Sequence, residues 1–129
     1  SASLAVKRLQ RCAEDRAEEV QAFNSSARCL VGDSLQLLGQ TNAEDVEALL
    51  SAVRGCHERV SDYKSRVLAD LQSARLLVSG PDTWLDAEAL IITLEEQSLE
   101  ADSLRSILEG LLADLEDCAP VEQEQREEE

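Results

Sequence analysis

The sequence predicts an all-α fold, an elongated antiparallel (up-down-up) three-helix bundle, on three observations. Apolar residues recur with a heptad period through three long segments, the spacing of one face of a coiled-coil-like helix. Only two short stretches interrupt that period, "LGQTN" around Gly39 and "SGPDT" around Gly80 and Pro81. Composition agrees: Leu, Ala, Glu, Ser and Asp dominate the 129 residues, aromatic content is 2%, and there are only five Gly and two Pro. Such a mixture favours helix over sheet.

The first helix is expected over about 3–38. It places Val6, Ala13, Val20, Ala27 and Ser34 at heptad position a, and Leu9, Arg16, Phe23, Leu30 and Leu37 at d. Gly32, followed by Asp33 and Ser34, predicts a kink or loosening there, since an interior Gly costs about 1 kcal/mol against Ala. Gly39 suits the left-handed position that closes a helix, and Thr41 with Glu44 forms a candidate capping box for the second. That helix, about 43–78, has Val46, Val53, Val60, Val67 and Ala74 at a, with Leu49, Cys56, Tyr63, Asp70 and Leu77 at d. Leu50, Leu71 and Val78 widen its stripe at e, beyond what a two-stranded seam uses, which favours three helices over two. Asp82 or Thr83, after Pro81, caps a third helix over about 82–118. Its a positions are Ala87, Leu94, Ala101, Leu108 and Leu115; its d positions are Leu90, Gln97, Leu104, Leu111 and Cys118. Residues 1–118 thus form the bundle, with helices of about 36 residues, or about 54 Å each. Residues 119–129 follow without apolar period and with strong acidity, so disorder is expected.

Counting from the shared helix ends puts Arg16, Tyr63 and Gln97 at one height, with Lys64 alongside. This predicts a polar layer that sets register: Gln97 bonds Arg16 or the Tyr63 hydroxyl, and Glu19 or Glu100 compensates charge. Asp70 at d is expected to lean to the rim. Phe23, Cys56 and Leu104 share another level, a large ring against a small thiol. Cysteines 12, 29, 56 and 118 have wide, irregular spacings that suggest neither zinc nor a redox pair, so reduced thiols are expected.

His57, the single histidine, follows Cys56. Neighbours on a helix diverge by about 100°, so the two do not form a nucleophile–base pair. No serine elbow, phosphate loop or HExxH motif occurs. The expectation is a non-enzyme with no catalytic, cofactor or metal site.

Formal charge is -15. Helix one has five basic and five acidic side chains and helix two five and six, whereas helix three has Arg105 alone against eleven acids. The charge disfavours nucleic acid and anionic membrane as partners, since both need basic surfaces, and neither is expected. No apolar run is long enough to span a bilayer. The opening "SASLAVKRLQRC" lacks a signal peptide's extended apolar region, and with reduced thiols a cytoplasmic setting is expected. The acidic third helix favours a basic or amphipathic-helical protein partner.

Within that helix Leu85, Ile92 and Leu99 recur every seven residues at f, directly away from the core. Glu88, Glu95, Glu96 and Asp102 rim them, and Trp84 stands near their start, either capping the core end or anchoring the strip. Together these eight residues form a candidate protein-docking strip. Leu35 and Leu68 also lie off the seam, which leaves a weak homodimer or packing by neighbouring repeats as alternatives.

Three helices of equal length, tight turns and sustained heptads resemble a divergent spectrin repeat over most of residues 3–118. The family's usual Trp in the middle of its first helix is absent, Phe23 standing in that region, and Trp84 instead begins the third. Divergent repeats of plakins, nuclear-envelope linker proteins and Rho exchange factors imply spacing or protein docking; talin and vinculin bundles are similar in this respect. The resemblance implies a cytoskeletal setting, and the expected function is a non-catalytic interaction or scaffold module of a larger intracellular, cytoskeleton-associated protein that docks partners on the acidic third-helix face, with a structural spacer in a rod as the alternative.

Overall fold

A computed structural model describes residues 2–37, 42–78 and 84–118, and the side chains of all of these except residues 2, 3 and 84. Three helices account for them: α1 (Ala2–Leu37), α2 (Ala43–Leu77) and α3 (Trp84–Cys118). The expected roles of Gly39, Thr41, Gly80, Pro81, Asp82, Thr83 and the tail lie outside the described residues. The fold is an all-α three-helix bundle in which adjacent helices pack antiparallel.

At the start of α2 the cap is Asn42. Its Oδ1 accepts from the Glu44 N–H at 3.1 Å, and its carbonyl accepts the first helical bond, from Val46 N–H, also at 3.1 Å. Asn favours this position because a short side-chain acceptor satisfies an N–H that the helix itself leaves open. Glu44 and Asp45 then sit in the first turn, where negative charge meets the positive end of the helix dipole. The capping box expected of Glu44 with Thr41 lies outside the described residues.

The loosening expected at Gly32 does not occur, and α1 is unbroken to Leu37. Ser34 Oγ donates back to the Leu30 carbonyl at 2.8 Å, which places its hydroxyl within the helical pattern.

The chain divides into two compact units. The first comprises Ser1–Ala22 and Ser61–Ser103, the second the described residues of Phe23–Val60 and Leu104–Glu129. Each takes a segment from all three helices. In the first unit, Val6, Ala13 and Val20 of α1, Val67, Leu71 and Ala74 of α2, and Ala87, Leu90, Leu94 and Ala101 of α3 are buried. In the second, Phe23 and Ala27 join Val46, Leu49, Leu50, Val53, Cys56 and Val60, with Leu104, Leu108 and Leu115 from α3. These are the heptad a and d positions, plus Leu50 and Leu71 at e.

Three d positions of α1, Leu9, Leu30 and Leu37, are only half-buried, as is Ile91 on α3. Cys118 departs further: it is exposed, although it stands at d. It is the last residue of α3, and the buried series ends one turn earlier at Leu115. A heptad position buries a side chain only where neighbouring helices stand at the same height.

Ion pairs fix the chain directions within each unit. In the first, α1 rises from Arg16 to Glu19 while its partners on α2 fall from Asp70 to Arg66. There α3 rises from Glu95 to Asp102 while α2 falls from Arg75 to Lys64. In the second, Glu109 and Glu116 pair with His57 and Arg54, again in opposite senses.

Candidate functional site

Two features of the first unit merit separate description, a buried polar cluster and the outward face of α3. In the cluster, Arg16, Tyr63 and Gln97 are all buried, and Lys64 is half-buried. Their partners differ from those expected. Arg16 Nη2 donates to Asp70 Oδ2, so the half-buried Asp70 is its countercharge. Gln97 Nε2 donates to the Ala13 carbonyl at 2.8 Å, not to Arg16 or Tyr63. A carbonyl already bonded within its helix keeps a second lone pair, and the amide reaches it across the core. Glu19 is engaged elsewhere, bidentate with Arg66 at 2.5 and 3.2 Å, and Lys64 donates to Asp102. Arg16 Nη1 and Gln97 Oε1 are buried without a hydrogen-bond partner among the described residues. The Tyr63 hydroxyl is pushed up to about 12, first by burial and then by the nearby Glu100 carboxylate, with Arg16 opposing. Arg16, Glu19 and Lys64 are each held in an ion pair, whereas Glu100 is exposed.

In the second unit, Cys29 and Cys56 line one groove with Ser25, Ser51, Gly55 and Arg59. Burial pushes the Cys56 thiol up, and the charge and hydrogen bond of Arg59 pull in the other direction. All four cysteines are free thiols. His57 Nε2 lies 3.1 Å from Glu109 Oε1, on the side of α2 that meets α3, while Cys56 is buried. Among the described residues no group of three or more His, Cys, Asp or Glu is placed to hold a metal ion. No helix there is long and apolar enough to cross a membrane.

The outward face of α3 carries Leu85, Ile92 and Leu99, exposed by 72%, 58% and 65%. The three follow one another along the helix at its own heptad spacing, amid acidic residues. Trp84 opens α3, but the role expected of its side chain falls outside the described residues. Of the four acids expected to rim the strip, two are already engaged: Glu95 with Arg75 at 3.6 Å, and Asp102 with Lys64. Glu88 and Glu96 are exposed and form no ion pair among the described residues.

That engagement belongs to a pattern that the charge count by helix concealed. Glu95, Asp102, Glu109 and Glu116 are spaced by seven and pair with Arg75, Lys64, His57 and Arg54 of α2, two pairs in each unit. The signal was present in the sequence as acids repeating at position b. No protein-family model, curated protein or solved structure matches the chain.

Proposed function

We propose that the chain is a non-catalytic protein-interaction module that docks a basic amphipathic partner on the outward face of α3. One observation carries the reading: Leu85, Ile92 and Leu99 are each more than half exposed and aligned beside acidic side chains. Single exposed leucines are ordinary; three in heptad register on one helix form a strip that a second helix can cover. Acids beside it favour cations on the occupant and speed its approach at low salt. The three-helix heptad architecture supports a spectrin-repeat-like scaffold within a longer cytoskeletal protein, and free thiols accord with a reducing cytoplasm.

The test replaces Leu85, Ile92 and Leu99 together by Ser. Helical circular dichroism and the unfolding midpoint stay near wild type, because little buried area is lost. Proteins captured from cells by the wild-type chain, and shown to bind it directly once purified, are lost by the variant. A variant that unfolds, or that keeps the same purified partners, refutes the docking role.

A further inference from the structure

We infer that the occupant of the α3 strip is a second copy of this chain, which presents the basic outer stripe at the start of its α1. This names a partner for the docking role proposed above and rests on it. Lys7, Arg8 and Arg11 stand three, four and seven residues after Leu4, so the four share one face of α1. All are exposed, Leu4 by 66%. Lys7, Arg8 and Arg11 form no ion pair among the described residues. The other described cations outside an ion pair, Arg28 and Arg59, stand in the second unit. The basic stretch is bounded, since Glu14 and Asp15, a turn further along α1, are exposed acids.

The α3 strip is its complement. Leu85, Glu88, Ile92, Glu96 and Leu99 succeed one another by three or four residues, so acids without an ion pair alternate with aliphatics along one line. A helix that covers this line needs an aliphatic residue with cations at helical spacing from it, and the α1 stripe carries both. Leu4 seats against an aliphatic of the strip, and the cations within two turns of it meet Glu88 or Glu96. The net charge of -15 opposes contact between copies. At about 0.1 M salt, however, the Debye length is about 10 Å, so remote charges are largely screened while groups in contact still attract. Local complementarity therefore decides. The two stripes cover less than the roughly 1,200 Å² that stable interfaces bury, so the association is weak and reversible. They lie on different helices of one unit, and each copy carries one of each. A contact between unlike faces leaves a free stripe at either end, so copies add head to tail.

The test is sedimentation equilibrium of the intact chain at about 0.1 M salt and up to about 1 mM protein. The average mass should rise with concentration past that of a dimer. One variant carries Lys7→Glu, Arg8→Glu and Arg11→Glu, and another Leu85→Ser, Ile92→Ser and Leu99→Ser; circular dichroism checks that both stay helical. Each alone should associate at least about tenfold more weakly than wild type. Mixed in equal amounts, the two should recover association, since each keeps the stripe that the other lacks, and the mass should stop at the dimer. Glu88→Lys with Glu96→Lys, which leaves the aliphatics in place, should also abolish self-association. Joined to the three α1 reversals in one chain, it should restore it. A wild-type chain that stays monomeric overturns the inference, while proteins captured from cells through the strip would still uphold the docking role. Self-association that survives the α1 reversals, a mixture that remains monomeric, or failure of the restored charge match also overturns it.

Discussion

Asp70→Ala should destabilise the first unit far more than loss of an ordinary surface carboxylate. The Arg16 side chain is 10% exposed and that of Asp70 21%, so the pair is shielded but not sealed. Removing one member of a fully buried pair costs about 3–5 kcal/mol, since the remaining charge is left uncompensated. Partial access of water to Asp70 lowers the expectation to about 2–3 kcal/mol. With a urea m-value of about 2 kcal/mol/M, the midpoint should fall by about 1–1.5 M, read by circular dichroism. Glu95→Ala is the control: Arg75 and Glu95 are 60% and 51% exposed, and such a pair contributes less than about 1 kcal/mol. Arg16→Met combined with Asp70→Ala should recover most of the loss, because it also removes Arg16 Nη1, a buried donor without a partner. If Asp70→Ala shifts the midpoint no more than Glu95→Ala does, Arg16 reaches solvent freely and the argument fails. If the double variant is worse than the single one, Arg16 contributes by packing and not by charge.

Two further outcomes can be measured directly. Tyr63 is the only tyrosine, so phenolate absorbance reports it alone; its midpoint in the folded chain should lie near 12, against 10.0 for a free side chain. Because the unfolded chain ionises first, this stability is intact below pH 10 and is lost as pH rises toward 12, by about 2–3 kcal/mol. Tyr63→Phe should remove that slope, and a midpoint at 10 in the folded chain counts against burial as the cause. Asn42→Ala should cost about 1 kcal/mol while Asn42→Gly costs only a few tenths. Equal losses from the two would mean that the bond to Glu44 is not what caps α2.

The core was legible because burial follows a period that the sequence displays openly. Val53, Val60 and Val67, like Ala87, Leu94, Ala101 and Leu108, fall on their heptad positions and are 0% exposed. The height of the polar cluster was legible for the same reason, since helical rise fixes which residues stand level. The choice of partner within it was not. Arg, Gln and Glu side chains reach about a turn in either direction, and a backbone carbonyl such as that of Ala13 competes with every side chain in range. Cys118 shows the opposite limit: the period continues to the last residue of α3, but burial stops at Leu115. The strip at Leu85, Ile92 and Leu99 was readable as an outer face, whereas the division of its rim was not. That division depends on which acids meet α2.

The pairing with α2 also bears on why the strip faces outward at all. In the first unit, the outer series Leu85, Ile92, Leu99 is more apolar than the inner series Ala87, Leu94, Ala101. Hydrophobicity along those two lines would by itself favour turning α3 over. Leu90 at d opposes that rotation, and Ala87 and Ala101, both 0% exposed, stand where a larger side chain would overpack the core. Glu95 and Asp102 add the third constraint, since turning α3 by one heptad position separates both from Arg75 and Lys64. Exposed pairs of this kind are weak individually. Their effect lies in discriminating between two packings of similar apolar burial, where a difference of 1.4 kcal/mol shifts the populations tenfold. Glu95 and Asp102, on the α2 side of α3, thus help to hold the strip to solvent.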